Sequence, residues 1–288
     1  MTAPLAEAAW QPSTLELSRR ALRRRATVRS VLLALLSSVA VAVVLVIVIA
    51  NTPGWKVVRE TFFDPKVALA SVGPIFQGLL LNILVLVISA VCVALLGTLL
   101  AVLRSLRGPV FFPLRLLAAA YTDFFRGVPL LIVLYLVGFG IPALMIFPRM
   151  PAMFWGTIAL VISYSAYVAE VLRAGMEAVH PSQRVAARSL GLTHGQTLRI
   201  VVIPQGVRKV VPALMNDFVS MQKDVGLISV LGAIDAVRAA QLQVAETFNF
   251  TPYIVAGLFF VILSWPMIRL TDVVTARLNK REQAGGIV

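Results

Sequence analysis

EVLRAGMEAVHPSQRVAARSLGLTHGQTLRIVVIPQGVRKVVP, residues 170–212, is the longest polar stretch lying between two apolar runs of this chain. Arg184 to Leu190 is a run of good helix formers, and Gly191 is placed to end it in a left-handed cap. Thr193 followed by Gln196 makes a capping box that starts a second helix, which should stop before Pro204. The stretch therefore reads as two short helices at an angle. Ala186 and Ala187 are small enough to let another surface approach, and Arg184 and Arg188 suit carboxylate partners. The residues alone leave two readings open: a solvated amphipathic loop at the lipid headgroups, or an ordered elbow that docks on something.

Outward from this stretch the chain turns apolar. A membrane span needs about 20 mostly apolar residues, and runs of that kind occupy 31–50, 79–103, 130–147, 153–171 and 251–268, with an interrupted sixth at 214–231. With 59% of its 288 residues hydrophobic and only 14% charged, the solvent is a bilayer. The net charge of +13 would suggest nucleic acid in a soluble protein, but here the basic residues cluster between apolar runs, which points to anionic lipid and orientation. Arg19, Arg20, Arg23, Arg24, Arg25 and Arg29 precede the first run, Arg104, Arg107 and Arg115 follow the second, and the 170–212 stretch follows the fourth. The intervening connections are poorer in Lys and Arg, so both termini are expected on the cytoplasmic side of the membrane. The first run lacks a small-x-small cleavage site and reads as an anchor that stays. Cys92, the sole cysteine, reads as packing, and His180 and His194 as solvated loop residues.

Catalytic motifs are missing. There is no Gly-Lys pair from which a phosphate loop could be built, and neither H-E-x-x-H nor G-x-S-x-G occurs. Gly138 to Ala143, GFGIPA, lacks the preceding strand a dinucleotide loop needs. In the interrupted run, Asn216, Asp217, Ser220, Lys223 and Asp224 recur at helical spacings and form one polar stripe, and ionisable groups at membrane depth imply function by default. Counted from a helix start near Pro212, Lys223 and Asp224 fall near mid-membrane. They either meet the carboxylate and ammonium of an amino acid or pair with each other and specify packing. Ala159, Ser163, Ala166 and Glu170 share a helical face, with Glu170 as a gate residue or a partner of Arg173; Gly97 and Ala101 read as helix packing and Arg126 as interfacial.

The pattern at Val185-Ala186-Ala187, Gly191 and Ile203-Pro204 resembles the coupling loop of permeases of bacterial ATP-binding-cassette importers. FFRGVPLL at 124–131, SYSAYVAEVLRAG at 163–175, IPQGVRKVVPALMNDFV at 203–219 and QKDVGLISVLG at 222–232 narrow the resemblance to the polar amino-acid permeases. It implies an all-α integral membrane protein: a five-helix importer-permease core at 77–272, its coupling loop at 173–210, plus one extra N-terminal transmembrane helix at 31–50. A basic segment at 1–30, an extracytoplasmic connection at 51–76 and a cytoplasmic tail at 273–288 complete the expected layout. The family's coupling loop docks on an ATPase, which implies contacts from Arg184, Val185, Ala186, Ala187, Arg188, Gly191 and Thr193. Asn216, Ser220, Lys223, Asp224 and Glu170 are the candidates for the substrate path. Implied partners are two ATPase subunits carrying ATP and Mg, a second permease subunit (identical or related), an extracytoplasmic amino-acid-binding protein and membrane lipid, with no nucleic acid; no cofactor is expected in the chain itself. Family resemblance leans toward acidic or amide amino acids. Val185 departs from the pattern, standing where the family carries Glu and removing a charge from the docking surface. The alternative, an ion-gradient-driven secondary transporter, would use Lys223 and Asp224, but no inverted repeat is evident.

Overall fold

The computed structural model describes residues 13–106 and 108–285, and every regular element among them is helical. The chain divides into two units, Met1–Glu60 and Thr61–Val288. In the first, α1 spans Thr14–Ala50, started by Ser13, whose hydroxyl accepts from the Glu16 amide. The helix begins well before residue 31, inside the basic segment expected at 1–30, because a cap, an Arg-, Leu- and Ala-rich sequence and a Glu16–Arg20 ion pair at 2.9 Å all favour helix from Thr14 onward. Its valines and leucines are exposed, as suits a helix solvated by lipid.

A short helix, α2 (Trp55–Phe62), leads toward α3 (Pro65–Ser105), so much of the expected 51–76 connection is helical. Asp64 caps α3 by accepting from the amides of Lys66 (2.8 Å) and Val67 (3.3 Å), with Pro65 in the first turn where a missing N–H is harmless. The 130–147 run is one arm of a bent pair. Helix α4 (Phe112–Gly127) and the 130–143 arm, built from α5 (Leu130–Tyr135), a π-helical turn (Leu136–Gly140) and α6 (Ile141–Ala143), meet at 108°. Pro129 causes the break: it pushes the preceding Val128 into extended backbone, at φ −98° and ψ 128°.

Helix α7 (Ala152–Glu177) is the centre of the second unit. Beyond it lie α8 (Pro181–Ser189), α9 (His194–Thr197), a π-helical turn (Leu198–Val202) and α10 (Ile203–Asp224), which tightens into a 3-10 segment at Val225–Leu231. Helical structure does not stop before Pro204: the proline occupies the first turn of α10. Helices α11 (Ala236–Thr247) and α12 (Thr251–Gly285) close the unit. Among the described residues, four helical stretches are individually long and apolar enough to cross a membrane, and up to six if each bent pair is one span.

The main core joins α3, α5, α7 and the end of α10 through Val85, Val133, Leu134, Leu160, Met221 and Ile228. A Cβ on Gly97 would lie 2.8 Å from Val168, confirming that this glycine serves close helix packing. A second cluster packs α3 against α11 and α12. There Asn82 ties the start of α11 to the middle of α3: its amide donates to Asp235 at 3.0 Å and its carbonyl accepts from the Ala236 amide at 3.0 Å, while Asp235 caps the helix through the Arg238 amide at 2.8 Å. Both side chains are fully buried, and satisfying them this way fixes where α11 begins.

Candidate functional site

Three clusters of polar chemistry stand out. The first is the elbow formed by α8 and α9. Its stems are pinched together: a Cβ on Gly175 would lie 2.7 Å from the Gly206 carbonyl oxygen, and one on Gly206 would lie 3.0 Å from the Gly175 backbone. Two cations cap the outgoing end of α7, with Arg184 donating to the Met176 carbonyl and Lys209 to the Ala178 carbonyl at 2.7 Å. His180 starts α8 by accepting from the Ser182 amide at 3.2 Å, a capping role beyond the loop role expected of it. Gly191, at φ +82°, ends α8, its amide donating to the Arg188 carbonyl at 3.0 Å. The capping box is present, with the Gln196 amide 3.3 Å from the Thr193 hydroxyl and the Gln196 side chain accepting from the Thr193 amide at 2.8 Å. Ala187 is buried, whereas Val185, Ala186, Arg188 and Leu190 are exposed, Leu190 at 83%. Arg184, half-buried and bonded to Met176, is occupied in holding the elbow to α7.

The second cluster is an acidic cleft of about 340 Å³, with Ser163, Tyr164, Tyr167, Asp217, Ser220 and Asp224 in its wall. Tyr164 donates to the Asp224 carboxylate at 2.7 Å. The Ser163 hydroxyl and one Asp217 carboxylate oxygen are buried with no hydrogen-bond partner. Lys223 is exposed and makes no ion pair among the described residues, so the pairing of Lys223 with Asp224 weighed from sequence does not form. Asn216 and Ser220 are exposed on the same helix. Because α10 starts at Ile203 and not near Pro212, Lys223 and Asp224 lie at its far end, about 30 Å along it. Tyr164 escaped the sequence reading because nothing in its neighbours marks it as the partner of a residue on another helix.

The third is a hub around Glu170. Its carboxylate accepts from Arg104 at 2.8 Å and from Arg173 on its own helix, and Arg126 stands at 3.7 Å. Arg104 also donates to the buried Thr122 hydroxyl at 2.7 Å, and Arg173 reaches on to Glu177. One carboxylate thus ties the ends of α3, α4 and α7 together. The Arg173 pairing is the one sequence spacing anticipates; Arg104 and Arg126 come from elements whose approach the spacing does not encode. Among the described residues no group of three His, Cys, Asp or Glu side chains is placed to hold a metal.

Comparison with known proteins identifies the family of this fold. The family described as binding-protein-dependent transport system inner membrane component matches residues 108–282. The chain is 34% identical over 191 residues to the arginine transport system permease protein ArtQ of Bacillus subtilis strain 168, covering 66% of this chain and 85% of ArtQ. It is 35% identical over 186 residues to that organism's "Probable glutamine ABC transporter permease protein GlnM", covering 64% of this chain and 84% of GlnM. A solved structure titled as an amino acid ABC transporter with histidines superposes with a TM-score of 0.65 at 34% identity, over 71% of this chain and 94% of that one. An all-helical membrane unit with an ordered elbow between α7 and α10, matched by that family over most of its length, is a member of the family of binding-protein-dependent transport system inner-membrane components.

Proposed function

We propose that this chain is the membrane subunit of an ATP-driven importer of polar amino acids, lining the path and transmitting ATPase closure to it. The ordered elbow carries the reading: glycine-pinched stems, two capped helices and an exposed apolar edge at Val185 and Leu190 are what a surface needs to push on a docked partner. Two separate ATPase subunits would bring the ATP and Mg, a second permease, identical or related, would complete the path, and an extracytoplasmic binding protein would deliver the amino acid. Both termini lie on the elbow's cytoplasmic side in this reading. Val185, Ala186 and Arg188, with Leu190 beside them, make the docking contact, while Arg184, Gly191 and Thr193 hold its shape. The acidic cleft supplies acceptors for the substrate's ammonium group through Asp217 and Asp224, with Asn216, Ser220 and Lys223 along the continuing face. Glu170 acts as a clamp between helices and does not touch substrate. Names borne by the relatives, arginine and glutamine, support a polar amino acid. The ion-gradient alternative has no support among them.

Uptake of radiolabelled glutamate, glutamine, arginine and histidine into cells lacking this chain tests the reading. Wild type should restore one or more of the four, and Gly191→Pro, which removes the amide bonded to Arg188 and forbids the +82° φ, should abolish that uptake at matched expression. Uptake that survives Gly191→Pro and collapses when the proton gradient is dissipated with ATP held constant would overturn it.

A further inference from the structure

Between the ends of α3 and α7, the start of α4 and the elbow lies a cleft of about 280 Å³ to which the transport reading assigns no ligand. Four guanidinium groups, from Arg104, Arg115, Arg173 and Arg184, line it together with His194 and a single carboxylate, Glu177. Arg104 and Arg173 are balanced by Glu170 and Glu177. Arg115 and Arg184 are not: their hydrogen bonds go to the backbone carbonyls of Leu106, at 3.0 Å, and Met176, and neither makes an ion pair among the described residues. Each guanidinium carries five N–H donors in a planar fork, so both hold further donors for a bidentate anion. Two partly buried cations that no carboxylate pairs with are costly in one concave site unless an anion completes the set.

We propose that this cleft binds a phosphate group. Its position indicates the source. Arg115 sits in the first turn of α4, beside exposed Phe111, Leu114 and Leu117, and the cleft opens where α3 ends at Ser105. A phosphodiester in the cleft would leave acyl chains running along those apolar side chains, so an anionic phospholipid satisfies both halves of the surface, whereas free inorganic phosphate satisfies only the charged half. Occupancy would bridge α4 to the elbow through Arg115 and Arg184, linking the lipid to the segment that carries the docking face.

The test is native mass spectrometry of the full-length chain, purified with its co-expressed ATPase and exposed to an equimolar mixture of phosphatidylglycerol and phosphatidylcholine. Wild type should retain phosphatidylglycerol several-fold over phosphatidylcholine. Arg115→Gln should lose most of that preference, Arg115→Lys should keep part of it, and Arg149→Gln, which is outside the cleft, should keep all of it. Thermal melting of each variant checks that Arg115→Gln is folded. If inorganic phosphate displaces phosphatidylglycerol from wild type, the site takes phosphate from solution as well; if it does not, the lipid is the ligand. Equal retention of the two lipids, an Arg115→Gln variant that matches wild type, or an equal loss in Arg149→Gln would each overturn the proposal.

Discussion

A methyl group added at Gly175 would come within 2.4 Å of a Val210 methyl and 2.7 Å of the Gly206 carbonyl, and the carbonyl, being backbone, cannot give way without moving α10. Gly175→Ala should therefore cost about 1–3 kcal/mol, the range for overpacking a close contact, and shift the stems of the elbow apart. A clear drop in the melting temperature of the detergent-purified permease, with uptake falling in parallel, is the expected result; a variant as stable and active as wild type would show that the stems are not pinched. Arg184 and Arg188 make a sharper pair because the sequence gives them the same role. Arg184 holds the Met176 carbonyl, so Arg184→Ala should destabilise the isolated permease by roughly 1.5–3 kcal/mol, as for a lost hydrogen bond to a charged group. Arg188, exposed on α8, should leave the isolated chain unchanged when truncated and weaken only its pull-down of the ATPase. That difference was illegible in the sequence, since which carbonyl a long side chain reaches depends on the angle between two helices. Gly191, Thr193 and Gln196 were legible because their partners lie within four residues of them.

Among the elements, those bounded by local chemistry could be read in advance and those bounded by a tertiary turn could not. Helix α8 ends at Gly191 and the next starts at Thr193, as capping rules require. By contrast, the apolar run 130–147 looked like a straight span, yet it is one arm of a pair bent through 108°, with the amphipathic α4 hidden in what reads as a connection. Pro204 reads as a stop in the sequence, but a π-helical turn carries the chain into α10 with the proline where it does no harm. α11 has a local cap, Asp235 accepting from the Arg238 amide, but its residues form no long apolar run that would mark a span in the sequence. The elbow's shape rests on one backbone conformation, and Gly191→Ala isolates it: no atom lies within 4 Å of the missing Cβ, so only the positive φ opposes the substitution. A penalty of about 1 kcal/mol is expected, visible as faster amide exchange confined to α8 and α9 while α7 and α10 keep their protection. Exchange unchanged in the elbow would mean that its neighbours, and not Gly191, set its shape.

At the scale of the whole unit, α10 joins the two ends of the proposed mechanism. Its first turns carry Gly206 and Lys209, which seat the elbow, and its last turns carry Asp217, Ser220 and Asp224, which face the acidic cleft. A displacement of the elbow is therefore delivered to the cleft through a helix about 30 Å long, anchored at its far end by Tyr164 on α7. Replacing Asp224 by Asn separates charge from shape, because an amide oxygen still accepts from the Tyr164 hydroxyl at the same position while the negative charge is gone. If the carboxylate receives the substrate's ammonium group, the charge-assisted part of that contact disappears, and uptake should fall about five- to tenfold, the factor set by losing roughly 1–1.5 kcal/mol, the difference between a hydrogen bond to a charged group and one to a neutral group. ATP hydrolysis by the assembled complex should fall much less, since the elbow and its stems are untouched. Gly175→Ala should instead depress hydrolysis coupled to transport together with uptake. Measuring both rates in proteoliposomes for the two variants separates path from coupling: an Asp224→Asn complex that transports at the wild-type rate would place the substrate elsewhere, and one that loses hydrolysis and uptake together would make Asp224 part of the coupling and not of the path.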